Sequence, residues 1–231
     1  MGRRKENKGI LISYKLNQSD LEKLDHYARQ LHSSRSKFVI YLIYSMVMNN
    51  KYTPKILANY WRIKHNQHST KNINVYIPLE VKREIDRVRN QLSEEGHIHY
   101  HRNYFIGSLI QHQLHEIERF CKDLNNETKQ VAIYLENSLY TEVMTHIQKY
   151  RLSFQMLLFD CLKDFPREPR EGFPPLLTKN PQRQERIITL LPKRLYEKIK
   201  NSPVQLTTLA SVELARHLER LRTGESLLIK P

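Results

Sequence analysis

The sequence predicts a mostly α-helical chain with short strands, in which two modules each set a two-stranded antiparallel ribbon on four helices. Three observations lead there. Strands of alternating polar and apolar residues recur four times, each is followed by two stretches of helical period, and the chain carries a net charge of +14. A strand and two helices cannot bury their apolar faces alone, and a lone strand leaves its backbone groups unpaired. Pairing the first unit with the second and the third with the fourth answers both needs.

Unit one begins with the alternating strand Ile10-Leu11-Ile12-Ser13-Tyr14-Lys15-Leu16. Ser19-Asp20-Leu21-Glu22 reads as a capping box that opens a helix with Leu21, Leu24, Ala28 and Leu31 on its stripe. Ser33-Ser34-Arg35-Ser36 breaks that pattern. The second helix, Lys37 to about Met48, is apolar nearly all round and is expected to be buried between partners. Residues 50–71 form a linker with room for a short helix. Unit two starts at Asn72, with Ile73, Val75 and Ile77 on one strand face and Asn72, Asn74 and Tyr76 on the other. Its first helix is expected to end near Leu92, residues 93–101 to form a loop, and the next helix to start at Arg102.

Unit three is the strand Gln130 to Leu135, a helix through Leu139, Val143 and Ile147, and a second helix capped by Ser153. Pro166, Pro169, Pro174, Pro175 and Pro181 mark an extended linker. Unit four is the strand Arg186 to Pro192 and a short helix around Leu195 and Ile199. Ser202-Pro203 then reads as the start of a last helix, serine at the cap and proline at the first helical position. The expected modules are 1–122, from units 9–49 and 72–122, and 128–231, from units 129–165 and 185–223 with the proline linker 166–184 between them.

A pI near 9.7 implies a polyanionic partner, although charge alone does not separate nucleic acid from an anionic membrane. Residues 1–120 hold 20 Lys/Arg and 11 Asp/Glu, a net +9, against 18 and 13, a net +5, in residues 121–231. The longest apolar run, Phe38 to Met48, is about half of a membrane span. No secretory leader pattern opens the chain, and Cys121 and Cys161 lie in apolar-patterned helices. Together these imply reduced thiols, a cytoplasmic location and no membrane partner. With six glycines, none clustered, the chain offers no phosphate-cradling loop, and no cofactor is implied. His97-Ile98-His99, with Tyr100 and Tyr104 nearby, has the form of a metal-dependent nickase motif. That chemistry needs the pair on a central strand with a third ligand, whereas here it falls between helices, so the chain reads as a binding protein and not an enzyme.

The strand endings Ile77-Pro78, Leu191-Pro192, Leu16-Asn17 and Leu135-Glu136, and the segment Ser34-Arg35-Ser36-Lys37-Phe38-Val39 echoed by His101-Arg102-Asn103-Tyr104-Phe105-Ile106, carry a resemblance. The pattern resembles the ribbon-helix-helix family of DNA-binding proteins, the superfamily of the Arc and MetJ repressors. It covers most of the chain, four units in order, and implies two intrachain ribbon-helix-helix pseudo-dimers. Members are usually short chains that dimerise, so the fusion departs from the family pattern. The resemblance implies a ribbon in the major groove of double-stranded DNA, read by the face turned away from the helices: Leu11, Ser13 and Lys15 from one strand, Asn72, Asn74 and Tyr76 from the other. The ordinary alternative is a solvated strand face. It also implies that the second-helix starts hold DNA phosphates through Ser34, Arg35, Ser36, Arg102 and Asn103.

Arg3, Arg4, Lys5 and Lys8 would add phosphate neutralisation as a basic arm. The second ribbon would turn out Gln130, Ala132 and Tyr134 against Arg186, Ile188 and Leu190. That face suits weaker DNA contact or a protein partner, either a relaxase or a second copy of the chain. Unequal paired strands predict an asymmetric or directly repeated site. This expectation leads to an accessory factor of plasmid conjugation that binds an origin of transfer, with a transcriptional repressor of a mobile element as the alternative.

Overall fold

The protein is described by a computed structural model covering residues 9–48, 54–121, 127–163 and 184–223. The basic arm with Arg3, Arg4, Lys5 and Lys8, the proline linker up to residue 183 and the Cys121 side chain lie outside the described residues. The chain divides into two compact units, Met1–Glu118 and Arg119–Pro231.

In the first unit, β1 (Ile10–Asn17) leads into α1 (Gln18–Gln30) and α2 (Arg35–Met48). Then come α3 (Pro54–His65), a 3-10 turn (Gln67–Ser69), β2 (Thr70–Ile77), α4 (Leu79–Gly96) and α5 (Arg102–Cys121). The two strands pair antiparallel, from Ile10 opposite Ile77 to Asn17 opposite Thr70. Period-2 alternation sends Ile12, Tyr14 and Leu16 of β1 and Val75 and Ile77 of β2 into the core. Every residue of α2 from Phe38 to Val47 is buried, as its all-round apolar pattern requires. Burial pushes the Tyr14 hydroxyl up to a pKa of about 12. Helix α5 comes in close enough to β1 that a Cβ on Gly107 would lie 2.0 Å from the Lys15 carbonyl oxygen. Only glycine fits that approach.

The second unit contains β3 (Thr128–Glu136), α6 (Asn137–Tyr150), α7 (Phe154–Leu162), β4 (Gln184–Pro192), α8 (Lys193–Lys200) and α9 (Leu206–Thr223). Strands β3 and β4 pair antiparallel, from Thr128 opposite Pro192 to Glu136 opposite Gln184. Val131, Ile133, Leu135 and Leu191 face the core, under α7 and α9 residues such as Leu157, Leu158, Leu209 and Leu214.

The expected pair of ribbon-helix-helix pseudo-dimers, four helices to each ribbon, is corrected by this architecture. Residues 54–65 are not plain linker: Ile56, Tyr60 and Ile63 recur at i, i+4 and i+7, all three are buried, and they make α3 a fifth helix of the first unit. The chain is mostly α-helical, with nine α-helices among the described residues and two separate two-stranded sheets.

Helix boundaries shift as well. Asn17, not Ser19, caps α1, its side chain accepting from the Asp20 N–H at 2.7 Å. Helix α4 runs on through Ser93, Glu94 and Glu95 to Gly96, closed by His97 in the left-handed region at φ 49°. Ser202-Pro203 does not open α9. Ser202 instead donates to the Ile199 carbonyl at 2.7 Å, which closes the turn after α8, and the helix begins at Leu206. Ser153 does cap α7, accepting from Met156 N at 3.2 Å.

Candidate nucleic-acid interface

Antiparallel register turns the outward positions of β1 and β2 into three cross-strand rows: Leu11 opposite Tyr76, Ser13 opposite Asn74, and Lys15 opposite Asn72. All six residues share one face of the ribbon, and none is buried. Leu11 at 51% and Tyr76 at 55% exposure show that no element of the first unit covers this face. The rows grade along the ribbon from apolar through neutral polar to cationic, so its two ends are chemically different.

In the middle row, the Ser13 hydroxyl donates to Asn74 Oδ1 at 2.6 Å. That bond takes one lone pair of the carbonyl and leaves a second, together with the amide hydrogens. Asn74 therefore keeps the acceptor and donor that a bidentate contact to adenine requires. In the last row, Lys15 Nζ donates to the Tyr104 hydroxyl at 3.3 Å and lies 4.8 Å over its ring. Tyr104 Oη donates in turn to Gln67 Oε1 at 3.1 Å. Tyr104 sits two residues past Arg102, so this chain of contacts ties the start of α5 to the cationic end of the ribbon. The sequence alone sets Tyr104 beside the His97-Ile98-His99 pair and within the 101–106 segment, without a link to Lys15. The signal available was its place in the first turn of α5, on a helix brought against β1 at Gly107.

The helix starts carry the expected arginines, each already paired. Arg35 donates to both oxygens of Asp25, and that hydrogen bond raises its pKa further. Arg102 reaches Asp86 at 3.1 and 3.5 Å. Burial works against ionisation of Asp86, but the Lys82 hydrogen bond at 2.7 Å and the charges of Arg102, Lys82 and Arg89 outweigh it and hold the carboxyl below its usual value. Both guanidinium groups stay substantially exposed, at 48% and 42%. An exposed ion pair contributes about 0–1 kcal/mol, little enough for a phosphate to share or displace it. Ser34 caps α2 through a 3.3 Å bond from Lys37 N, and Ser36 is exposed beside it. Asn103 is half-buried. Asp25 and Asp86 lie 10 and 16 residues from their arginines. Neither separation is a helical spacing, so no local pattern announced these pairs.

On the second ribbon the outward rows are Gln130 opposite Leu190, Ala132 opposite Ile188 and Tyr134 opposite Arg186. Ile188 is 54% and Tyr134 40% exposed. The first residues of α7 and α9 are Phe154 and Leu206, so neither helix places an arginine where α2 and α5 place Arg35 and Arg102.

His97 closes α4, and His99 and His101 stack edge to face at 5.5 Å. Among the described residues, no three His, Cys, Asp or Glu side chains converge on a metal position. No described helix is long and apolar enough to cross a membrane. No family model matches the chain, and neither a curated protein nor a solved structure matches it.

Proposed function

We propose that the protein binds double-stranded DNA sequence-specifically and reads the major groove with ribbon β1–β2, acting as a binding protein rather than an enzyme. One observation carries this reading. An uncovered antiparallel ribbon bears the rows Ser13–Asn74 and Lys15–Asn72 in a chain of net charge +14. A major groove about 12 Å wide admits a two-stranded ribbon, and serine, lysine and asparagine supply the donors and acceptors that base edges recognise. Arg35 and Arg102, at the starts of α2 and α5, are the phosphate contacts, helped by the unsatisfied N–H groups of those helix ends.

Because the two strands differ, the site read by one chain is not a palindrome. Asymmetric landmarks of this kind suit an origin of transfer better than a repressor operator, and the reading extends to an accessory role in plasmid conjugation. Selection from a random duplex library tests the first claim: a directional consensus is expected, and recovery of unenriched sequence overturns it. Gel shifts on origin-of-transfer against promoter fragments then separate the conjugative role from repression.

A further inference from the structure

From His26 to Leu79 the chain has no Asp or Glu, yet it carries eight Lys and Arg, a net +8 of the total +14. Helix α3 lies in this stretch and turns part of that charge outward. Ile56, Tyr60 and Ile63 face the core, and Lys55, Ala58, Arg62 and His65 recur on the opposite, exposed face. Arg62 gives Asn59 Oδ1 one N–H at 3.1 Å, and Lys64 Nζ lies 4.8 Å over the ring of Trp61. Among the described residues, none of Lys55, Arg62, Lys64 and His65 is paired with a carboxylate. Asp20 and Gln111 wall a polar cleft of about 150 Å³ that Arg62 also lines, but Asp20 is buried and accepts from Gln111. Arg35 and Arg102, by contrast, each rest on an aspartate.

This cationic face adjoins one end of the ribbon. Ile63 Cδ1 is 3.4 Å from where a Cβ on Gly107 would lie, at the point where α5 meets Lys15. Gln67, in the turn after α3, accepts from Tyr104, which itself accepts from Lys15. Tyr104 packs edge to face on Tyr60 at 6.2 Å, and Tyr60 on Trp61 at 5.3 Å. Lys15 and Lys64 thus stand at the two ends of one run of rings, and α3 lies beside the Lys15–Asn72 row. A helix C-terminus favours cations, which accounts for Lys64 and His65 but not for Lys55 or for the missing acids.

We propose that α3 is a second DNA-contacting surface, which holds the phosphate backbone flanking the ribbon's site through Arg62 and Lys64, on the Lys15–Asn72 side only. The proposal rests on duplex DNA being the ligand, as read above, and adds a contact outside the ribbon. Cations without carboxylate partners give up no ion pair on meeting a phosphate, so each adds about one unit to the salt dependence of binding. A grip on one flank also gives the complex a direction.

The test measures how binding of the full chain to a random-sequence duplex depends on salt. Arg62→Gln with Lys64→Gln should lower the slope by about two, equivalent to about a tenfold change in affinity between about 50 and 200 mM salt. Arg62→Gln alone, at an exposed position, should lower it by about one and leave thermal unfolding unchanged. Lys198→Gln with Lys200→Gln, the same charge change in the last turn of α8, should leave the slope as it is. Trp61 is the chain's single tryptophan, so its emission should change saturably as duplex is added. On the consensus recovered from the library, hydroxyl-radical protection should extend past the ribbon's site on one flank and retreat in the double variant. An unchanged slope, an equal loss from the α8 pair, a silent Trp61 or protection on both flanks would each overturn the proposal and leave the ribbon's base preference standing. A slope effect without any consensus would instead remove the ribbon reading and keep the α3 contact. Tighter binding to phosphatidylserine vesicles than to duplex, lost in the double variant, would assign this face to a membrane and overturn the proposal.

Discussion

Ribbon β1–β2 turns Ser13, Lys15, Asn72 and Asn74 outward, whereas ribbon β3–β4 turns out Ala132, Ile188 and Leu190 among Gln130, Tyr134 and Arg186. The pairing is antiparallel in both, and both bury the same alternate positions. What differs is the solvent-facing half of each period and the first turn of the helices that follow. Arg35 and Arg102 open α2 and α5, but Phe154 and Leu206 open α7 and α9. Inward positions are constrained by the need to fill a core. Outward positions are not, so they report what each ribbon is for. On the function proposed above, that contrast assigns base edges and phosphates to the first ribbon and leaves the second with the more apolar outward face.

The largest effect should come from the one place where a helix backbone meets the ribbon. Gly107→Ala would put a methyl group 2.0 Å from the Lys15 carbonyl oxygen, so α5 must retreat. Overpacking of this kind should cost the first unit about 3 kcal/mol or more. The second unit should be spared. Chemical denaturation followed by probes in each unit reads the difference, and equal loss in both would erase the contrast.

Next, Asn74→Ala should cost about 1–3 kcal/mol of discrimination at a single base position. Ile188→Ala on the second ribbon should leave DNA affinity within about 0.5 kcal/mol. Binding to a panel of single-position DNA variants measures both, and a larger effect from Ile188→Ala would reverse the assignment of the ribbons.

Acid should affect the second unit through His146. Burial, with His217 and Lys149 nearby, pulls its pKa from 6.5 down to about 4. Between those values the unfolded chain holds the proton and the folded chain does not, so stability falls as pH drops from 6.5 towards 4. The imidazole is only partly shielded, and the loss should be about 1–2 kcal/mol. Unfolding of the second unit across that range should show it, and His146→Phe should flatten the dependence while keeping the ring contact with Tyr150, now 4.6 Å between centroids.

On the first ribbon's side a more modest change is expected from Arg35→Ala, about 1 kcal/mol spread evenly over all DNA sequences, with the salt slope reduced by about one. Asp25→Asn should act in the opposite direction by removing the competing carboxylate. If Arg35→Ala and Asn74→Ala gave the same profile across the DNA panel, the division between phosphate and base contacts would fail.

Much of the local structure was legible because short-range rules govern it. Alternation in 10–16 and 72–77 shows which residues face the core, and Ser153 shows where α7 begins. The misjudged places had competing local signals. Asn17 stood close enough to Asp20 to take the cap from Ser19, and the polar residues of 50–71 hid the Ile56, Tyr60 and Ile63 stripe. Ser202 found the Ile199 carbonyl before it could cap a helix.

The sequence by itself determined the four strands, the inward and outward sets on each, and the cationic excess of the first half, since periodicity and charge need no partner to be read. Only the tertiary structure decided that Arg35 rests on Asp25, that Tyr104 holds Lys15, that α5 meets β1 at Gly107 and that Asp20 and Gln111 wall a polar cavity. Each joins residues 10 to 92 positions apart. Contacts at that range depend on how whole elements pack, and no residue's immediate neighbours specify them.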